Sequence, residues 1–112
     1  MANDILMKIF FTYAWRMRKI QCECGCGRFL PREFTTACMD HVLEKSDSQY
    51  PECKYSLSNI RYYTPDCHSS KTNGFPNEQQ KEHLKDALEN YYYIVEESSK
   101  FVDRVMKKIG GK

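Results

Sequence analysis

The sequence predicts an α+β domain with a helix at each end and a small, irregular centre. Two stretches, 1–20 and 76–109, repeat apolar residues at intervals of three and four. Between them, 21–74 replaces that period with glycines, prolines, paired aromatics and short apolar runs. At 112 residues the chain has the length of one domain, and 41% hydrophobic with 29% charged residues suits a chain that buries a core. That core is small, so a staple such as a bound metal has much to contribute.

In 1–20, Ile5, Ile9, Tyr13, Met17 and Ile20, widened by Leu6 and Phe10, mark the helix face expected to be buried. Asn3 or Asp4 can cap its start, and Arg16, Arg18 and Lys19 stand at its end, where cations complement the helix dipole. The run "FTTACMDHV", Phe34 to Val42, is rich in threonine and β-branched residues and alternates, which predicts a strand with Cys38 buried in it. Pro51, Ser56, Ser58 and Asn59 supply turn chemistry after it. A short helix is expected to start near Pro65 or Asp66 and to stop at Asn73-Gly74.

Asn77 followed by Gln80 forms a capping-box pattern. Leu84, Leu88, Tyr91, Val95, Ser98, Val102, Val105 and Ile109 then keep the three-four spacing up to Gly110-Gly111. One uninterrupted helix over 76–109 would measure roughly 45 to 50 Å, longer than a domain of this size is wide. Its stripe is expected to pack on the N-terminal helix or, in a homodimer, on the same helix of a second subunit.

The net charge of +2 names no partner by itself. Between 16 and 32, however, Arg16, Arg18, Lys19, Arg28 and Arg32 face a single acid, Glu23, which makes an edge suited to phosphate or simply a solvated surface. No apolar run approaches the ~20 residues that span a membrane. Lys8, Arg16, Arg18 and Lys19 interrupt the first stretch in a way a secretory leader does not. The six cysteines are therefore expected to be reduced thiols of a cytoplasmic protein that uses them for metal, rather than three disulfides of a secreted one.

Chemistry-bearing residues fall in four places: "CECGCG" from Cys22, "MDH" ending at His41, "SNI" around Asn59, and "DCHSSK" with Cys67, His68 and Lys71. Each alone has an ordinary structural use. Together, in this order and spacing, they resemble the HNH nuclease family of the ββα-metal fold. That family's final segment runs asparagine, apolar residue, several residues, cysteine, two residues, cysteine, histidine, two residues, lysine. Here it stands as "NIRYYTPDCHSSK", Asn59 to Lys71. The resemblance covers 22–72 and leaves the two end helices outside it.

The resemblance implies a ββα-metal core with a zinc knuckle, and hydrolysis of DNA phosphodiesters that leaves a 5′ phosphate and a 3′ hydroxyl. Small stand-alone members of this kind are common in phages and bacteria. His41 would take a proton from water, a role that an imidazole titrating near ~6.5 suits at neutral pH. Asp40 and His68 would hold one divalent cation on the scissile phosphate. A carboxylate and an imidazole suit magnesium, manganese, nickel or zinc. Asn59 would brace the loop between the strands, and Arg61 and Lys71 would reach DNA phosphates. Tyr62 and Tyr63 offer faces for bases, although core packing is the commoner use of such residues.

Many members of that family also hold a structural zinc with two cysteine pairs. This chain departs from the pattern, because Thr64 stands where the second pair has its first cysteine. Cys22, Cys24, Cys26 and Cys67 would still make four thiolates. Alternatively Cys53 replaces one of the knuckle cysteines. The competing reading is a catalytically inactive, zinc-stabilised module that binds nucleic acid or protein.

Overall fold

The computed structural model describes residues 2–43 and 50–110, with side chains from residue 5 onward. Among these residues four α-helices accompany a two-stranded antiparallel sheet: α1 (Ala2–Arg16), β1 (Met39–His41), β2 (Ile60–Tyr62), α2 (Pro65–Thr72), α3 (Glu78–Glu89) and α4 (Tyr91–Ile109). The protein is thus a mixed α+β domain. β1 pairs with β2 in the register Met39 to Tyr62, Asp40 to Arg61 and His41 to Ile60. Among the described residues no helix is long and apolar enough to cross a membrane.

The strand expected over Phe34 to Val42 forms only in its second half. The Thr35 hydroxyl accepts from the Ala37 N–H at 3.1 Å and caps a 3-10 turn, Thr36–Cys38, before β1 begins. Cys38 is nevertheless fully buried. α2 starts where the sequence places it, with Pro65 in its first turn, and stops at Gly74, whose φ of +94° is open to glycine alone at little cost.

α1 turns a different face inward from the one its spacing suggests. Leu6, Phe10 and Ala14 are buried, whereas Ile5, Ile9, Tyr13, Met17 and Ile20 are exposed, and the helix ends at Arg16. Long-range partners decide the matter. The Phe10 ring meets Phe101 of α4 edge-on at 5.3 Å and Tyr55 at 5.8 Å, and the Tyr62 hydroxyl donates to the Ala14 carbonyl at 2.6 Å. Tyr62 and Tyr63 are themselves buried, so neither offers a face to a base.

The helix expected over 76–109 is two helices. The capping box forms as read: the Asn77 side chain accepts from the Gln80 N–H at 2.8 Å and the Gln80 side chain from the Asn77 N–H at 2.9 Å. The break comes at Asn90, where φ −106° and ψ 22° leave the helical region and the side-chain amide donates to the Asp86 carbonyl at 2.8 Å. Asparagine competes with the helix for its own backbone acceptors, which is why α3 ends there. The apolar stripe is split as well. Ala87, Ile94, Ser98 and Phe101 are buried, but Leu84 and Leu88 are exposed on α3.

α4 is also a polar clamp. Glu97 accepts from the Ser56 hydroxyl and, at 2.9 Å, from the Ser58 N–H, while Ser98 accepts from the Tyr55 N–H at 3.0 Å. Burial raises the Glu97 pKa, but the bonds from Ser56, Ser58 and Tyr93 outweigh it and hold the carboxyl below its ordinary value. A depressed carboxyl adds stability above its unfolded value of ~4.3, and this is lost as pH falls through the folded value. Glu97→Gln is therefore expected to cost about 1 kcal/mol at neutral pH, after allowance for partial exposure. In thermal unfolding at a series of pH values, the gap from wild type should narrow below about pH 4.

Candidate metal centres

The segment between α1 and β1 folds back on β2. Gln21 bridges to Phe29, the Cys22 N–H donates to the Arg28 carbonyl at 2.9 Å, and the Glu23 N–H donates to the Tyr62 carbonyl at 2.7 Å. Gly25 and Gly27, at φ +87° and +84°, make the reversals that other residues resist. The loop thereby turns Cys22, Cys24 and Cys26 toward Cys67 in the first turns of α2, and the four sulfur atoms lie within 4.8 Å of one another. Cys22 to Cys24 and Cys24 to Cys67 are 3.2 Å, and Cys67 to Cys26 is 3.8 Å. A tetrahedral zinc with bonds of ~2.3 Å spaces its sulfurs about 3.8 Å apart, so the cluster has the size and donor set for such an ion.

Cys53 is not part of this cluster. It is fully buried in a second apolar core with Val42, Leu43, Ala87 and Ile94, where burial pushes its thiol up to about 11. Thr64, which occupies the position of a cysteine in the family pattern, has another use. Its N–H donates to the Cys22 sulfur at 3.2 Å and its hydroxyl lies 3.9 Å from that sulfur. A donor beside a thiolate stabilises the ligand without being one. Burial and hydrogen bonds with Cys22 and Cys67 push the Cys24 thiol up, burial pushes Cys67 up, and the Arg28 N–H pulls Cys26 down to about 7. Converging thiols cannot all ionise unless a cation replaces their protons.

A second constellation lies across β1 and α2. Asp40, only 3% exposed, has its carboxylate 3.3 Å from His68 Nε2, and Lys71 Nζ donates to both of its oxygens at 2.9 and 2.8 Å. His68 Nδ1 donates to the Ala37 carbonyl at 2.7 Å, which turns Nε2 toward Asp40. Its pKa is raised, chiefly by the Asp40 hydrogen bond, against the opposing effect of burial.

His41 leaves β1 on the other side, as strand alternation requires. It is 6% exposed, lies 5.7 and 6.1 Å from the rings of Phe11 and Phe10, and places Nε2 2.8 Å from the Lys54 carbonyl. A carbonyl only accepts, so Nε2 carries a proton. Asn59 is fully buried and holds the backbone on both sides of the 44–49 segment. Its Oδ1 accepts from the Leu43 N–H at 2.8 Å, and its amide donates to the carbonyls of Leu43 and Cys53 at 3.0 and 3.1 Å. It is a positioning residue for the end of β1.

The cations expected to face phosphate are largely engaged within the molecule. Arg61 pairs with Glu23 at 3.2 Å, Lys71 with Asp40, and Arg28 with Asp66 at 3.2 Å, while Arg18 lies 4.4 Å over the Trp15 ring. Glu23 and Asp40 are largely buried and draw in the nearest cation, which charge counting along the sequence does not register, whereas the Arg28–Asp66 pair lies exposed at the surface. The third histidine, His83, has no place in either cluster. Its Nδ1 meets the Tyr63 hydroxyl at 2.7 Å in the core, and burial lowers its pKa. No family model, curated protein or solved structure matches the chain.

Proposed function

We propose that the chain is a metal-dependent endonuclease of the HNH type that hydrolyses DNA phosphodiesters. The observation that carries this reading is the approach of His68 Nε2 to Asp40 Oδ1 at 3.3 Å, between residues separated in sequence but joined by the β1, β2, α2 arrangement. A divalent cation such as magnesium, manganese or nickel held by this pair would supply Lewis-acid charge to the phosphate and its leaving oxygen. His41 would act as general base toward the attacking water, with the Lys54 carbonyl orienting its ring and Asn59 holding the strand end. Lys71 would pass from Asp40 to the phosphate once a cation takes over the carboxylate, which keeps the charge of the site balanced. The four-cysteine cluster would hold a structural zinc that anchors α2, and with it His68 and Lys71, to the loop before β1.

The test is nicking of a supercoiled plasmid by the purified chain with magnesium, manganese or nickel, against a chelator control. Asp40→Asn keeps the shape of the side chain but removes the charged ligand. The expected result is cleavage that requires added metal, with the variant reduced by about a hundredfold or more.

A second reading, a zinc-stabilised binding module without catalysis, draws on the same pair seen differently. Lys71 already neutralises Asp40 through both oxygens, and His41 is packed among aromatic rings. Failure of the wild type to cut supercoiled, linear, single-stranded or branched DNA with any of these ions would favour it.

A further inference from the structure

The exposed stripe of α1 does not face open solvent alone. Ile9 and Tyr13 of that stripe, with one face of α4, line a groove of about 890 Å³, whose floor also includes Phe101, Val105 and Ile109. Tyr13 stacks on Phe101 at 5.9 Å and so shapes the floor. Ile9, Tyr13 and Ile109 remain 37%, 38% and 56% exposed. The rim is of one sign: Lys8 and Arg16 from α1, and Arg104, Lys107 and Lys108 from α4, with no acid among the described lining residues.

We infer that this groove docks an amphipathic helix of a partner protein, with its apolar face on the floor and acidic residues along both edges. An apolar groove between two helices takes a third helix through anchors at i, i+3 or i+4 and i+7, and a rim of five cations selects carboxylates over ammonium groups at the edges. A second copy of the chain fits poorly. Paired two-fold, the groove brings the same five cations against themselves. The other exposed apolar pair, Leu84 and Leu88, is flanked by Lys81 and Lys85 as well as Glu89, and so brings further positive charge. Duplex DNA would satisfy the rim but leave the apolar floor against phosphates. The inference stands apart from the nuclease reading, since none of its residues belongs to either metal centre.

The experiment titrates the isotope-labelled full chain with a synthetic helical peptide of about 18 residues, carrying leucines at three-four spacing and glutamates beside them. A control peptide has lysine at every glutamate. Amide shifts should map to α1 and α4, and the glutamate peptide should bind at least about tenfold tighter than the lysine one. Ile9→Asp and Ile109→Asp, both at exposed positions, should each weaken it about tenfold, and the double substitution Lys107→Glu with Lys108→Glu should erase the preference for glutamate. Equal binding of the two peptides, shifts elsewhere on the molecule, or no shifts at millimolar peptide would overturn the inference. So would self-association that Ile109→Asp abolishes, or stronger shifts of the same amides by duplex DNA or anionic vesicles.

Discussion

Replacing Cys67 with Ser, or stripping metal with a strong chelator, is expected to unfold much of the domain. Structural zinc contributes apparent binding free energies of about 10 to 16 kcal/mol in small zinc folds, against a total stability of about 5 to 15 kcal/mol for an ordinary domain. Cys67 is the ligand with the widest reach. It is the sole member of the cluster on α2, so its loss frees the helix that carries His68 and Lys71 to Asp40. The melting temperature should fall by about 15 °C or more, and zinc measured by mass spectrometry should drop from one ion per chain. Cys53→Ser provides the contrast. It places a hydroxyl in the second apolar core and costs about 1 to 3 kcal/mol, but leaves the zinc content unchanged. Metal-free protein whose melting temperature does not change when zinc is added would end the zinc reading.

Under the proposed chemistry, His41→Ala should reduce the cleavage rate by about a hundred- to ten-thousandfold, the range general-base catalysis provides. The loss should appear in the rate at saturating DNA rather than in DNA affinity, because the imidazole would act on water and not on phosphate. Two features set His41 apart from a packing residue. Its ring is oriented by the Lys54 carbonyl rather than by apolar contact alone, and Asn59 secures the strand end that carries it. Removing a buried ring between Phe10 and Phe11 also costs stability, so rates are compared well below the melting temperature of the variant. A His41→Ala protein that melts lower but cuts at the wild-type rate would assign the residue to the core.

The candidate site was legible in proportion to how local its signals are. The capping box at Asn77 depends on neighbours in sequence and appears as read, and Cys22, Cys24, Cys26 and Cys67 meet as one of the two expected sets. Asn59 was legible as a brace, though not in its bonds to Leu43 and Cys53. The roles of Lys71 and Arg61 were not legible. A lysine or arginine in sequence looks the same whether it points to solvent or closes on a buried carboxylate, and Asp40 and Glu23 claim these two. The use of Thr64 as a donor to the Cys22 sulfur was equally hidden, since its neighbour in space lies far away along the chain.

By itself, then, the sequence determined that the chain is a mixed α and β domain, where its second and third helices begin, and which cysteines were candidates to meet, whereas the first helix already contains Asn3 and Asp4, the residues expected to cap it. Hydrogen bonds and backbone preferences acting over a few residues decide these matters. Only the tertiary structure decided that Cys26 and not Cys53 completes the cluster, that α1 buries Phe10 and leaves Ile9 in a groove, and that Asn90 divides the last helix. Both faces of α1 are apolar enough to be buried, and six cysteines offer several sets of four. The choice rests on which distant surfaces arrive, because burial is a property of pairs of elements and not of one.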